Sequence, residues 1–84
     1  MASIKWSGKS LFDLERIDFQ ISKRIVLKVS WLAYHFEDIV PEPLHNKLKG
    51  LYKLRVGDYR VVYEIKDKVI FIKFVGHRRD IYIR

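Results

Sequence analysis

From Leu51 to Tyr82 apolar and polar residues alternate with the period of two that belongs to β-strands. Leu51 to Val56, Tyr59 to Ile65 and Val69 to Val75 are each rich in β-branched and aromatic residues, with Gly57-Asp58 and Lys66-Asp67-Lys68 between them. Two short turns in succession predict a three-stranded antiparallel meander, and turn length sets its register. Val56 should face Tyr59, and Arg55 should face Arg60. With Lys66 opposite Val69, one sheet face would hold Tyr52, Leu54, Val56, Tyr59, Val61, Tyr63, Ile65, Ile70, Ile72 and Phe74. That face is the predicted core. The other would hold Lys53, Arg55, Arg60, Val62, Glu64, Phe71, Lys73, Val75 and His77, and would run into Arg78 and Arg79. Like charges set opposite each other weaken a sheet by up to ~1 kcal/mol. Only Glu64, at the far end of this face, is expected to offset them.

Before Leu51 the period lengthens. Ile4-Lys5-Trp6 alternates and predicts a short first strand. Ser7 is placed to cap a short helix over Lys9 to Ile17, anchored by Leu11, Leu14 and Phe12. Asp18 is placed to cap a longer helix reaching about Phe36. There Ile21, Ile25, Val29, Leu32 and Phe36 recur at the spacing of a helical core stripe and should lie on the apolar sheet face. Leu27, Trp31 and Tyr34 form a second apolar set roughly opposite the stripe. One sheet cannot bury both, so either the short helix covers this set or a protein partner docks on it. Glu37 to Asn46, with two prolines, reads as a connecting loop. The expected architecture is one α+β domain over residues 1–84, ordered β-α-α-β-β-β, with two helices on one face of a small antiparallel sheet.

A chain of 84 residues has a core that yields only a few kcal/mol of net stability, so most apolar residues are needed inside. The absence of cysteine excludes disulfides and thiolate metal sites and fits a reducing compartment. No stretch reads as a signal peptide or approaches the ~18 apolar residues of a membrane span, which points to the cytoplasm. The net charge of +7 is carried entirely by residues 47–84, which hold eleven Lys/Arg against four Asp/Glu; residues 1–46 hold six of each. Charge gathered on one sheet face points to a polyanion, nucleic acid before membrane.

His35, His45 and His77 are scattered and lack metal-ligand spacing, and no nucleophile elbow, Walker loop or dinucleotide fingerprint is present; no metal or cofactor is expected. What remains is a cluster of cations with a tyrosine and a histidine. Such a cluster can bind phosphate passively. It can equally stabilise the added negative charge as RNA is cleaved by attack of its own 2′-hydroxyl.

The segment KLKGLYKLRVGDYRVVYEI followed by FVGHRRDIY resembles the sheet and C-terminal motif of the RelE branch of the RelE/ParE toxins from type II toxin–antitoxin systems. The resemblance is specific over the C-terminal half, while the β-α-α opening agrees in order. It implies a metal-free endoribonuclease that cleaves mRNA in the ribosomal A site until a cognate antitoxin blocks it. Lys53 and Arg55 match a basic pair, lysine at both places in the better studied toxins, that binds phosphate and activates the 2′-hydroxyl. Arg55 departs from the pattern and, being a poor base, is better suited to charge stabilisation. Arg60 matches the arginine on the scissile phosphate, Arg78 a second phosphate arginine, and Tyr82 a tyrosine that stacks on a base or relays a proton. His77 stands where relatives often carry lysine and could share acid/base work. Lys73 and Arg79 would extend the RNA-binding surface.

The resemblance also implies an acidic antitoxin segment with spaced apolar residues, lying across the sheet or along the long helix. It would meet Arg55, Arg60 and Lys73 with its charges and Phe71 and Val75 with its apolar side chains, as a homo-oligomer or hetero-oligomer. Two alternatives stay open. A ParE-like gyrase inhibitor shares the fold and needs no cleaving cluster; a non-catalytic RNA or DNA binder keeps the cations without depending on Tyr82 or His77.

Overall fold

The computed structural model describes residues 1–44 and 50–81. Along the chain come β1 (Ser3–Trp6), α1 (Gly8–Glu15), α2 (Phe19–Tyr34), a 3-10 turn (Phe36–Asp38), β2 (Glu42–Pro43), β3 (Tyr52–Val56), β4 (Tyr59–Lys66), β5 (Val69–His77) and α3 (Arg78–Ile81). The sheet order is β1-β5-β4-β3-β2, antiparallel except for β1, which runs parallel to β5. The α+β fold and its element order agree with the sequence reading. Two short elements are added: β2, drawn from the proline-containing connection, and α3.

Local chemistry accounts for the boundaries. The Ser7 side chain accepts the Ser10 N–H at 3.0 Å and Asp18 accepts the Gln20 N–H at 3.0 Å, so each helix begins where its cap was expected. Gly57 holds a left-handed φ of 58° in the β3–β4 turn. Asp67 and Lys68 take φ of 52° and 62°, the paired left-handed residues of a type I′ turn, and Lys66 pairs with Val69. The main core lies between α2 and the sheet, where Ile25, Val29, Val61 and Ile70 are fully buried and Tyr63 and Ile72 nearly so. Side chains of this kind each contribute about 1.5–3 kcal/mol when fully buried.

The predicted faces hold as far as Ile72 and then invert. Tyr63 pairs with Ile72 but Val62 pairs with Phe74, so Lys73 is an extra residue in β5, a β-bulge. Val75 therefore enters the main core at 5% exposure. Phe74, expected there, turns to the opposite face and packs with Val62, Leu44, Leu51 and Ile81 in a second, smaller cluster. His77 moves with Val75 and pairs with Tyr59 on the helix side.

The physical cause is α1. β1 accompanies β5 only to the Trp6–Ile72 pair, after which the chain turns into the helix. The buried residues of α1 are Ser10 and Asp13, whereas the expected anchors Leu11 and Phe12 are about half exposed. Asp13 Oδ2 accepts the Val75 N–H at 3.0 Å, and the Ser7 hydroxyl donates to the Lys73 carbonyl at 2.7 Å. Side chains of the helix and its cap thus satisfy backbone groups that β1 no longer reaches. Nor does α1 cover the second apolar set of α2: Leu27, Trp31 and Tyr34 remain exposed, with Lys28 Nζ 3.8 Å from the centre of the Trp31 ring.

Candidate functional site

The cations gather around the β3–β4 hairpin and the end of β5. Lys53 and Arg55 alternate on β3, so both side chains leave the sheet on the face opposite α2, and Arg55 pairs with Arg60 across the hairpin. The like-charge pair is relieved from two sides. Arg60, only 8% exposed, turns its guanidinium to the hairpin, where Nη1 donates to the carbonyls of Gly57 at 2.8 Å and Tyr59 at 2.9 Å. Its buried Nε has no partner among the described residues. Arg55 Nη2 donates to Glu42 Oε2 at 2.7 Å, and Lys53 Nζ lies 3.6 Å from the same oxygen.

Glu42 was absent from the sequence reading, which offered Glu64 alone. Edge strand β2 carries it in, pairing Glu42 with Lys53. Two prolines flank Glu42 in the sequence, a composition that suits an edge strand as well as a loop, and this was the available signal. The Arg55 hydrogen bond, helped by the charges of Arg55 and Lys53, holds the Glu42 carboxyl below its ordinary value. Glu64 instead faces Lys73, 3.8 Å away at the bulge.

At the end of β5, the Arg78 N–H donates to the Asp58 carbonyl at 2.8 Å and its Nε lies 3.9 Å from Asp58 Oδ1, which brings Arg78 to the same hairpin turn as Arg60. The Arg78 side chain stays 55% exposed. His77 is half-buried, edge-on to Tyr59 with ring centroids 5.5 Å apart, and its Nδ1 accepts the Arg79 N–H at 3.2 Å. That bond uses the Nδ1 lone pair, so the hydrogen of the neutral ring sits on Nε2. Phe71 is half-buried on the face opposite α2, with Lys5 Nζ 6.0 Å from its ring centre, and Val75 is withdrawn into the core. Tyr82 and His45 lie outside the described residues. Among the described residues no three His, Cys, Asp or Glu side chains are grouped to hold a metal ion, and no helix is long and apolar enough to cross a membrane. On the buried side of the sheet, desolvation first, then Tyr52 and Glu42, pushes the Tyr63 hydroxyl up to about 12. Tyr63 is a core residue.

The profile of the ParE toxin family of type II toxin–antitoxin systems matches residues 4–82. The chain belongs to the RelE/ParE toxin superfamily. Toxin RelE of Mycobacterium tuberculosis is 37% identical over 67 residues, 80% of this chain and 61% of the relative. Toxin RelG of the same organism is 43% identical over 47 residues, 54% of each. This chain therefore spans roughly three-fifths or less of the length of these curated relatives, whose names support the RelE branch. Among solved structures, the RelBE2 toxin–antitoxin complex of M. tuberculosis superposes with a TM-score of 0.74 at 26% identity, covering 92% of this chain and 98% of that one. The ParDE system of P. aeruginosa gives 0.76 at 21%, covering 92% and 96%, a likeness of fold.

Proposed function

We propose that this RelE/ParE-superfamily chain is a ribosome-dependent mRNA endoribonuclease, acting in the cytoplasm and held in check by a cognate antitoxin. The reading is carried by the way Lys53 and Arg55 converge on one carboxylate oxygen, Glu42 Oε2. Cations that hold a carboxylate in this way suit an RNA phosphate in its place. Cleavage would proceed by attack of a 2′-hydroxyl on the adjacent phosphorus. The hydroxyl proton passes to a base, the P–O5′ bond breaks, and the 5′-oxygen leaves with a proton, giving a 2′,3′-cyclic phosphate. Lys53, Arg55 and the exposed Arg78 would stabilise the equatorial oxygens as charge builds. His77 is a candidate proton carrier, and Tyr82 a candidate for base stacking. Arg60, with two donors given to backbone carbonyls, would act chiefly by fixing the turn.

Incubation with translating ribosomes and mapping of mRNA ends tests the proposal. Arg78→Ala should slow single-turnover cleavage about 10²–10³-fold, the ~3–4 kcal/mol typical of one lost oxyanion donor. Chelator should have no effect. Intact mRNA at saturating enzyme, or full activity in Arg78→Ala, would refute it. The match to the ParE profile favours one second reading, inhibition of DNA gyrase, and a supercoiling assay on the same preparation decides between the two.

The antitoxin would present an acidic segment with spaced apolar residues. Phe71 on the sheet and Trp31 on α2 are apolar candidates for contact, and Val75, being buried, is not one. Phe71→Asp and Trp31→Ala, titrated against the antitoxin, tell the two surfaces apart.

A further inference from the structure

We propose that Asp13 is a positioning residue: by accepting the Val75 N–H it locks β5 in the bulged register that sets His77 beside Tyr59 and Arg78 against Asp58. Two registers compete for the end of this strand. Continuing the pairing of Lys66 with Val69 and Tyr63 with Ile72 without a bulge would put Lys73 opposite Val62, Phe74 opposite Val61 and Val75 opposite Arg60. Phe74 would then enter the core, as simple alternation predicts. Either register buries one apolar residue, so hydrophobic patterning discriminates weakly between them, and a one-residue slip reverses the face of every later side chain. It would also move Arg78 by ~3.3 Å along the strand, out of reach of the Asp58 carbonyl.

Polar contacts break the tie. Asp13 is 9% exposed, and a carboxylate so placed is costly unless it is bonded at both oxygens. Here Oδ1 pairs with Lys9 and Oδ2 with the Val75 N–H. The Ser7 hydroxyl holds the carbonyl of Lys73, the extra residue itself. The bulged register also sets Gly76 against Ile81, where a Cβ would come within 3.3 Å of Ile81 Cγ1, so α3 packs closely over this glycine. The lock thus reaches from α1, across β5, to both ends of the His77–Arg78 corner.

The inference rests on the nuclease reading only for its kinetic test. By NMR on the full chain, Asp13→Ala should speed exchange of the Val75 amide at least ~10-fold relative to the Ile70 amide and abolish the Tyr59–His77 ring contact. In single turnover it should lower cleavage at saturating ribosomes roughly 10–100-fold while leaving half-saturation within about twofold. Asp13→Asn, which keeps an oxygen acceptor, should restore the amide protection and most of the rate. Val29→Ala, a core change on α2 that removes neither hydrogen bond to β5, should reduce stability with neither signature. Where Asp13→Ala fails to fold, Ser7→Ala should show the same amide signature in weaker form at Val75. A Val75 amide as protected in Asp13→Ala as in the native chain, or an Asn variant as impaired as the Ala one, overturns the inference. If the native chain leaves mRNA intact, the nuclease reading fails, and the NMR arm still decides the role of Asp13.

Discussion

In its first half, Val69 to Ile72, β5 lies between two strands, β1 and β4, and its side chains alternate as the sequence predicts. In its second half, Phe74 to His77, β4 remains on one side but α1 replaces β1 on the other, and the alternation is reversed. The first half is held by a ladder on each edge and by Ile70 and Ile72, both essentially inaccessible. The second has one ladder, Val75 in the main core, the Asp13 hydrogen bond to Val75 and a small apolar cluster, with a Ser7 bond at the bulge just before it. Register in the core is over-determined, whereas at the candidate site it hangs on a few polar contacts. Of the residues proposed to face RNA, His77 belongs to this second half and Arg78 directly follows it, whereas Lys53 and Arg55 stand on β3.

The largest effect should come from the first half. Ile72→Ala should cost about 2–5 kcal/mol in urea unfolding, because a fully buried methyl-rich side chain leaves a cavity between two ladders that cannot close. Phe74→Ala, in the smaller and partly open cluster, should cost less; equal costs would erase the contrast between the halves. Next, Gly76→Val should cost about 1–3 kcal/mol by overpacking against Ile81 and should displace α3. Loss of protection at the Arg78 amide would register that displacement, and unchanged stability and protection would show α3 to be loosely docked.

Arg60→Met keeps an apolar stem and removes the bonds to the Gly57 and Tyr59 carbonyls, so a loss of about 1–2 kcal/mol is expected on thermal unfolding. No loss would return Arg60 to a purely RNA-directed role. The smallest effect belongs to Glu42. Its carboxyl titrates below 4.5 in the folded chain, so the pairing stabilises the fold above that value and is lost as pH falls through the folded one. With the side chain 43% exposed, solvent screening should keep the contribution of Glu42 under ~1 kcal/mol. Glu42→Gln should therefore destabilise slightly at neutral pH and no longer once acid has protonated the folded carboxyl, and a difference that persists beyond that point would refute the ion-pair account.

Much of this is legible in the sequence. Caps at Ser7 and Asp18, the turns at Gly57-Asp58 and Asp67-Lys68, and the stripe of Ile25, Val29 and Leu32 depend on neighbours within a few positions, and each stands where the pattern placed it. The cations on β3 were equally visible, because two-residue turns transmit register from one strand to the next. What escaped were contacts between residues distant in sequence. Glu42 meets Lys53 and Arg55 only because a two-residue edge strand forms, and Asp13 meets Val75 across 62 positions.

The sequence by itself determined the order of the elements, the identity of the core stripe and the gathering of positive charge in the C-terminal half, since periodicity, capping and composition are local properties. Only the tertiary structure decided which side of the sheet receives Phe74, Val75 and His77. That choice lies between two registers of similar hydrophobic content, and the deciding hydrogen bonds come from a helix whose packing against β5 no local pattern specifies.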